Sequence, residues 1–260
     1  MISLEKLSSV QRDAVVAVQR AASEGSVYLV GGVVRDLFLG RAVGDVDVVV
    51  AGVPLETLSE RLEKVGRTDL VGKRFGVIKF TLPDGPTLDI ALPRTEHALS
   101  GSGHRRDFAV DFDPNLPIER DLERRDFTVN AMAARLEHDG SVALVDAFGG
   151  REDLERKRIR AVGDPGTRFG EDFSRMLRGI RFACELGFEI EPVTWRAIQE
   201  HMAHLEDKDA SGDFIVPREV VAKELLRALL GNPPAAFDLF DTSGAFRVLI
   251  PELYAMQGCP

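Results

Sequence analysis

Residues 27–52, VYLVGGVVRDLFLGRAVGDVDVVVAG, constrain what this chain can fold into more than any other stretch. A short apolar run ends in the pair Gly31-Gly32. The compact segment VVRDLFLG follows, and a valine-rich run then opens with Asp45 and Asp47. Apolar runs of this length bounded by glycine read as buried strands, and the segment between them, closed by Gly40, reads as a helix.

The same texture surrounds this unit. Residues 8–23 carry helical apolar spacing, with Ser8 or Ser9 as cap and Gly25 as stop. PLETLSERLEKVG is an amphipathic helix. GVIKFTLP and TLDIALP are two strands joined at Pro83-Asp84-Gly85-Pro86, a strong turn signal. Residues 94–121 mix polarity with Gly, Ser and Pro and read as a long loop. RDFTVNAMAARL reads as a helix entered through Asp126 or Thr128, and ALVDAFGG as a last strand. Beyond Gly150 the β-branched alternation fades and long segments of helical period take over. The fold class is therefore α+β, with a mixed-sheet head over residues 1–150 followed by an all-helical part.

Composition narrows the function classes. The chain has 260 residues, 44% hydrophobic and 29% charged, with a formal net charge of -9. That balance argues against a general nucleic-acid coat without excluding a locally basic site. Residues 151–181 are such a site in outline, with nine Lys/Arg against six Asp/Glu. Cys184 and Cys259 lack metal-ligand spacing, so neither a zinc site nor a disulfide framework is expected. Cys184 lies among apolar residues and reads as core. The N-terminus resembles no signal peptide, and no apolar stretch is long enough to span a membrane, so a cytoplasmic protein is expected.

Asp45 and Asp47, two apart on a predicted strand, project from one face. Like charges so close are costly unless a cation sits between them. Hard carboxylate oxygens suit Mg2+, which takes a few protein ligands together with waters and substrate phosphates. Asp89 in TLDIAL is the candidate third carboxylate on a neighbouring strand, placed for two-metal phosphoryl or nucleotidyl transfer. The turn at Gly31 and Gly32 would present backbone N–H groups to phosphate at a helix start, with Arg35 as a forked donor one turn later. The spacing matches neither a dinucleotide fingerprint nor a P-loop.

Four stretches taken in order, LVGGVVRDLFLGRAVGDVDVVV, DIALPRTE, RRDFTVNAMA and GDPGTRFGEDFSRMLRGIRFACELGF, resemble successive motifs of the bacterial tRNA nucleotidyltransferase (CCA-adding) and poly(A) polymerase family, within the polymerase-beta-like nucleotidyltransferases. The resemblance runs from about Tyr28 to Phe188. It implies template-independent addition of C and A to the 3′ acceptor end of tRNA from CTP and ATP. It makes residues 151–211 a helical neck and residues 212–260 the start of a helical body, expected to be truncated.

The same resemblance gives Arg125 to the phosphates, and Asp126 and Asn130 to the ribose, although Asp126 could equally cap a helix. It makes Asp172 and Arg175 the base-reading pair. Their chemistry suits cytosine and adenine, whose exocyclic amine meets the carboxylate while the guanidinium donates beside it. Guanine and uracil would set donor against donor. Arg178 and Arg181 resemble triphosphate or RNA-backbone contacts, unless one is a salt-bridge partner. At about 100° per residue, Asp172, Arg175, Arg178 and Arg181 share one half of a single helix and the apolar residues the other. Other activities stay open: CC-only, A-only or poly(A) addition, or a nucleotide-sensing or RNA-binding module without turnover. The sequence leaves the oligomeric state unknown.

Overall fold

The structure, a computed structural model, describes residues 3–71, 76–83, 85–98, 108–256 and 258. It divides into two compact units, Met1–Glu96 with Val110–Leu154, and His97–Ala109 with Glu155–Pro260.

The first unit carries α1 (Ser9–Ala21), β1 (Ser26–Val30), α2 (Gly32–Phe38), β2 (Asp47–Ala51), α3 (Leu55–Leu62), β3 (Arg67–Val71), β4 (Val77–Thr81) and β5 (Thr87–Ala91). β6 (Arg94–Ala98) and β7 (Phe108–Phe112) form a separate two-stranded sheet, with residues 97–109 counted in the second unit; α4 (Ile118–Glu123), β8 (Ala133–Leu136), β9 (Val142–Val145) and α5 (Gly150–Glu155) follow. The strands form a seven-stranded mixed sheet in the order β3-β4-β5-β2-β1-β8-β9. Ser8 starts α1 with a reciprocal capping box to Gln11. The helix ends at Ala21, before Gly25.

Pairing direction brings the distinctive residues together. β1 runs antiparallel to β2 with Leu29 opposite Val48, so the Gly31 end of β1 lies beside the Asp47 start of β2. β1 also runs antiparallel to β8, with Val30 opposite Ala133, which draws the Asn130 turn to the same end. β2 is parallel to β5, with Asp47 in register with Asp89. Along β4 and β5, Ile78, Phe80, Leu88 and Ile90 are fully buried. Alternation then places Lys79 and Asp89 on the opposite face.

Several expectations needed correction. Residues 94–121 are not a featureless loop but contain β6, β7 and α4, with residues 99–107 outside the described range. β3 had no sequence signal because it is a largely exposed edge strand without apolar alternation. RDFTVNAMAARL is not a helix: a 3-10 turn over Thr128–Asn130 is followed by β8, in which Ala133, Ala134 and Leu136 are buried and Arg135 is exposed. β2 begins at Asp47, leaving Asp45 on the bend before it. Within the turn read between β4 and β5, Asp84 lies outside the described residues.

The second unit holds β10 (Arg158–Ile159), α6 (Pro165–Glu171), α7 (Ser174–Leu186), β11 (Glu189–Ile190), α8 (Pro192–His201), α9 (Arg218–Gly231), α10 (Pro233–Thr242), α11 (Ala245–Leu249) and α12 (Pro251–Ala255). It is not wholly helical, since β10 and β11 form a short parallel ladder. EDFSRMLRGIRF is not one helix either. Asp172, in extended backbone at φ -150 and ψ 103, separates α6 from α7. α7 packs along α9 and buries charged residues as well as apolar ones, so its polar half does not simply face solvent. Among the described residues no helix is long and apolar enough to cross a membrane.

Candidate active site

In the first unit, Asp45, Val46, Asp47, Lys79, Thr87 and Asp89 line a cleft of about 200 Å³. Val46 is buried while Asp45 and Asp47 are exposed, so the two carboxylates do leave the chain on one side. The register of β2, β5 and β4 makes Asp47, Asp89 and Lys79 one row across three neighbouring strands. Lys79 Nζ donates to Asp89 Oδ1 at 2.8 Å. Withdrawal of water from the Asp47 carboxyl pushes it above its ordinary value; Asp89 and Asp45 add to the rise, against Arg125 and Lys79. Lys79 is also raised, first by its bond to Asp89 and then by the surrounding negative charge.

This donor set fits a hard divalent cation. It consists of carboxylate oxygens of one sign, one of them destabilised in its charged form chiefly by loss of water and further by its neighbouring acids. Among the described residues no three His, Cys, Asp or Glu side chains are grouped closely enough to hold a metal ion. The protein therefore supplies a partial ligand set that leaves room for substrate oxygens.

Beside the cleft, Gly31 adopts φ +69, and a Cβ there would stand 2.6 Å from Arg125 Nη1. Glycine is required by both the backbone conformation and the guanidinium packed against it. Gly31 N–H itself donates to Met132 O at 3.2 Å, so that N–H is already engaged. Arg35 donates through Nε and Nη2 to Asp36 at 2.9 and 3.0 Å, and through Nη1 to Asn130 Oδ1 at 2.8 Å. Arg125 donates through Nη2 to Asp121 Oδ2 at 3.2 Å and weakly through Nη1 to Asn130 O at 3.4 Å. Its Nε is buried without a hydrogen-bond partner among the described residues. Gly31, Gly32, Arg35, Arg125 and Asn130 thus form one cluster, and Asp47 senses the charge of Arg125. Asp126 is buried, and its carboxylate accepts from Phe127 N–H at 2.9 Å rather than capping the Thr128–Asn130 turn.

Asp121 was not singled out by sequence. It is fully buried and binds Arg124 at 2.8 Å and Arg125 at 3.2 Å. Burial opposes its charge, yet Arg125 and Arg124 outweigh that and hold it below the usual carboxylate range. An acid three and four residues before two arginines, in DLERR, is the signal that could have found it. Lys79 was missed too; a lysine inside an apolar strand was its signal.

In the second unit, Asp172 and Arg175 are both buried. Asp172 Oδ1 accepts from Ser174 N–H at 2.9 Å and Ser174 Oγ–H at 2.6 Å. Arg175 donates to Glu171 and to the Arg168 carbonyl, the latter at 3.0 Å. Arg178 is half-buried, its guanidinium 5.4 Å from the Phe182 ring centre. Arg181 is the salt-bridge partner: it binds Glu224 and, at 2.7 Å, Glu185, and stacks on Phe182 at 3.9 Å. Ser174, Glu171 and Glu224 were not anticipated. Cys184 is buried, and desolvation pushes its thiol up to about 11.

Comparison with known proteins gives this arrangement a family. Residues 27–160, just over half of the chain, match the model described as the poly A polymerase head domain. The chain belongs to that family. Residues 187–256 match the model described as a probable RNA- and SrmB-binding site of polymerase A, and Asp172 and Arg175 fall between the two.

Among curated proteins, the multifunctional CCA protein of Xanthomonas campestris pv. campestris (strain B100) is 43% identical over 239 residues, covering 90% of this chain and 53% of that protein. The CCA-adding enzyme of Bacillus pumilus is 39% identical over 199 residues, covering 76% and 45%. The chain spans about half the length of these curated relatives. Among solved structures, the Thermotoga maritima CCA-adding enzyme complexed with tRNA-CCA superposes with a TM-score of 0.75 at 29% identity, covering 95% of this chain and 54% of that one. The Bacillus stearothermophilus CCA-adding enzyme in complex with CTP gives 0.70 at 32%, covering 90% and 52%.

Proposed function

We propose that this chain is a cytoplasmic RNA nucleotidyltransferase that adds C and A, without a nucleic-acid template, to the 3′ acceptor end of tRNA, using CTP, ATP and Mg2+. The observation that carries the reading is the row of Asp47 and Asp89 across β2 and β5, with Asp45 at its mouth and the Gly31 turn and Arg125 beside it. The relatives named as CCA-adding enzymes, and the neighbours solved with CTP and with tRNA-CCA, support the substrates. Proteins of this kind are generally metal-dependent, and the choice of Mg2+ rests on the hard oxygen donors.

In the reaction the RNA 3′-hydroxyl oxygen bonds to the α-phosphorus of CTP or ATP. The bond from that phosphorus to the β-phosphate oxygen breaks, and pyrophosphate leaves. Asp45 and Asp47 would hold the divalent metal, which would supply Lewis-acid stabilisation of the charge that develops. Asp89, which accepts a hydrogen bond from Lys79, assists removal of the hydroxyl proton. The Gly31-Gly32 turn, Arg35 and Arg125 steady the phosphates. Asn130, whose Oδ1 is fixed by Arg35, presents its amide N–H groups toward the ribose alongside Asp126. Asp172 and Arg175 select the base, and Ser174 orients Asp172 through its bonds to Oδ1. Arg178 contributes to triphosphate or RNA-backbone binding, while the pairing of Arg181 with Glu224 and Glu185 gives it a structural role.

The test is an end-labelled tRNA lacking its 3′-terminal CCA, incubated with Mg2+ and with CTP, ATP or both, and resolved on a sequencing gel. Extension by three nucleotides with both, and by two with CTP alone, is the expected result. Addition only of CC or only of A narrows the activity, and long adenylate tails on unrelated RNA indicate a poly(A) polymerase. No extension and no pyrophosphate release with any RNA would make the chain a binding module and overturn the proposal.

A further inference from the structure

We infer that Lys79 sets how many carboxylates the cleft offers to a metal ion: its ammonium tethers Asp89 toward β4, leaving Asp45 and Asp47 as the available ligands. The inference rests on the proposed reading of those two aspartates as metal ligands.

Three observations carry it. Register places Asp89 between Asp47 on one neighbouring strand and Lys79 on the other, so a single carboxylate lies within reach of two different charges. It is bonded to the lysine, at 2.8 Å. Among the described residues, the cleft's acids do not form a group of three able to hold a metal, although three line it. Lys79 also stands apart from its surroundings. It lies within an apolar strand, with its side chain and that of Asp89 both about half exposed at 43% and 47%. The pair is therefore not a buried structural bridge whose loss would unfold the sheet.

A lysine in this position acts on a divalent ion twice. It occupies one oxygen of the third carboxylate, and its own positive charge lies in the same cleft as the ion. Both effects weaken metal binding by the free protein. Nucleotide phosphates would then be needed to complete the ligand set, so that metal and nucleotide enter together.

The experiment is calorimetric titration of Mn2+, without nucleotide, into the whole chain and its variants. For Lys79→Met, which keeps the aliphatic length and removes the charge, Mn2+ affinity should rise by about tenfold. Lys79→Arg retains a cation for Asp89 and should stay within about twofold of wild type. In Lys79→Met combined with Asp89→Asn, the gain should disappear, which a merely structural role for Lys79 does not predict. A thermal melt of each variant without metal reports folding. Asp89→Asn alone tests the same idea from the other side and should weaken binding, because it leaves the lysine charge uncompensated.

Unchanged or weaker Mn2+ binding in Lys79→Met, with wild-type binding intact and abolished by Asp47→Asn, overturns this inference and leaves the proposed function standing. Failure of the wild type and of every variant to bind Mn2+, with CTP present as well as without it, overturns both.

Discussion

The head cleft and the α7 helix both concentrate charge, but they treat it in opposite ways. In the cleft, Asp45 and Asp47 are exposed and of one sign, and Arg125 and Lys79 are the positive charges that Asp47 senses among the described residues. On α7 two charges, Arg175 and Arg181, are buried and matched: Arg181 with Glu224 and Glu185, and Arg175 with Glu171. A desolvated charge without a partner costs far more than folding tolerates, so buried charges must be matched internally. Partly solvated acids can remain unmatched and keep their affinity for something that arrives later. The same residue types thus mark a ligand site in one region and a scaffold in the other. Asp172 stands between the two cases: it is buried, and one of its oxygens is already held by Ser174.

The sharpest way to break this comparison is to neutralise one residue of each kind. Asp47→Asn should lower nucleotidyl transfer by at least about a thousandfold, equivalent to roughly 4 kcal/mol of transition-state stabilisation, while leaving thermal stability unchanged or slightly improved. Single-turnover extension of labelled tRNA and a thermal melt report the two quantities. A variant that loses stability as well as activity would place Asp47 in the scaffold.

The opposite pattern is expected on α7. Arg181→Met leaves Glu224 buried without its partner and should cost about 3 kcal/mol in a urea titration. Arg181→Met with Glu224→Leu should recover most of that, since an apolar pair of similar volume can replace a buried ion pair. If the double variant is no better than the single, Arg181 does more than match a charge. Asp172→Ala should fall between these two. Stability should drop by about 1 kcal/mol through the lost bonds to Ser174. The preference for CTP and ATP over GTP and UTP, measured by calorimetry with Mg2+, should fall roughly tenfold or more. Equal binding of all four nucleotides by the wild type would remove Asp172 from base selection.

How far each region was legible in the sequence follows from the same contrast. The cleft depends on features that survive in a linear reading: a glycine pair at a strand end, and acids at alternate positions opening a strand. Asp89 was within reach for the same reason, because TLDIAL alternates. Pairing was not legible. Nothing local states that β2 runs parallel to β5, and it is that register which sets Asp47 beside Asp89 and Asp89 beside Lys79. The exposed edge strand β3 left no apolar pattern to detect.

On α7 the helical period was read correctly from Ser174 onward, but it was carried through Asp172, where the backbone is extended. The Asp-x-Ser spacing, in which Asp172 accepts from the Ser174 N–H, was the local sign of that break. The burial of Arg175 and Arg181 could not be read at all. It depends on Glu171 reaching Arg175 and on α9 bringing Glu224 to α7.

Asp121 supplies the subtlest test, because it is a buried, matched charge lying in the head next to the unmatched cleft. Its folded pKa is depressed relative to an ordinary value of 3.8. A depressed carboxylate contributes stability that is fully present above its unfolded pKa and lost as pH falls through the folded value. Wild-type stability should therefore begin to decline as acid is added below about pH 4, with part of that slope belonging to Asp121. Asp121→Asn should be less stable at pH 7, since it leaves Arg124 and Arg125 without their shared acceptor, and its loss of stability on acidification should be shallower. Urea midpoints measured from pH 7 down to pH 3 check both statements. Arg125 also packs against Gly31, so the same variant should weaken nucleotide binding through a displaced guanidinium. A variant with a shallower acid slope and undiminished nucleotide affinity would show that Asp121 serves the fold alone and that Arg125 holds its place without it.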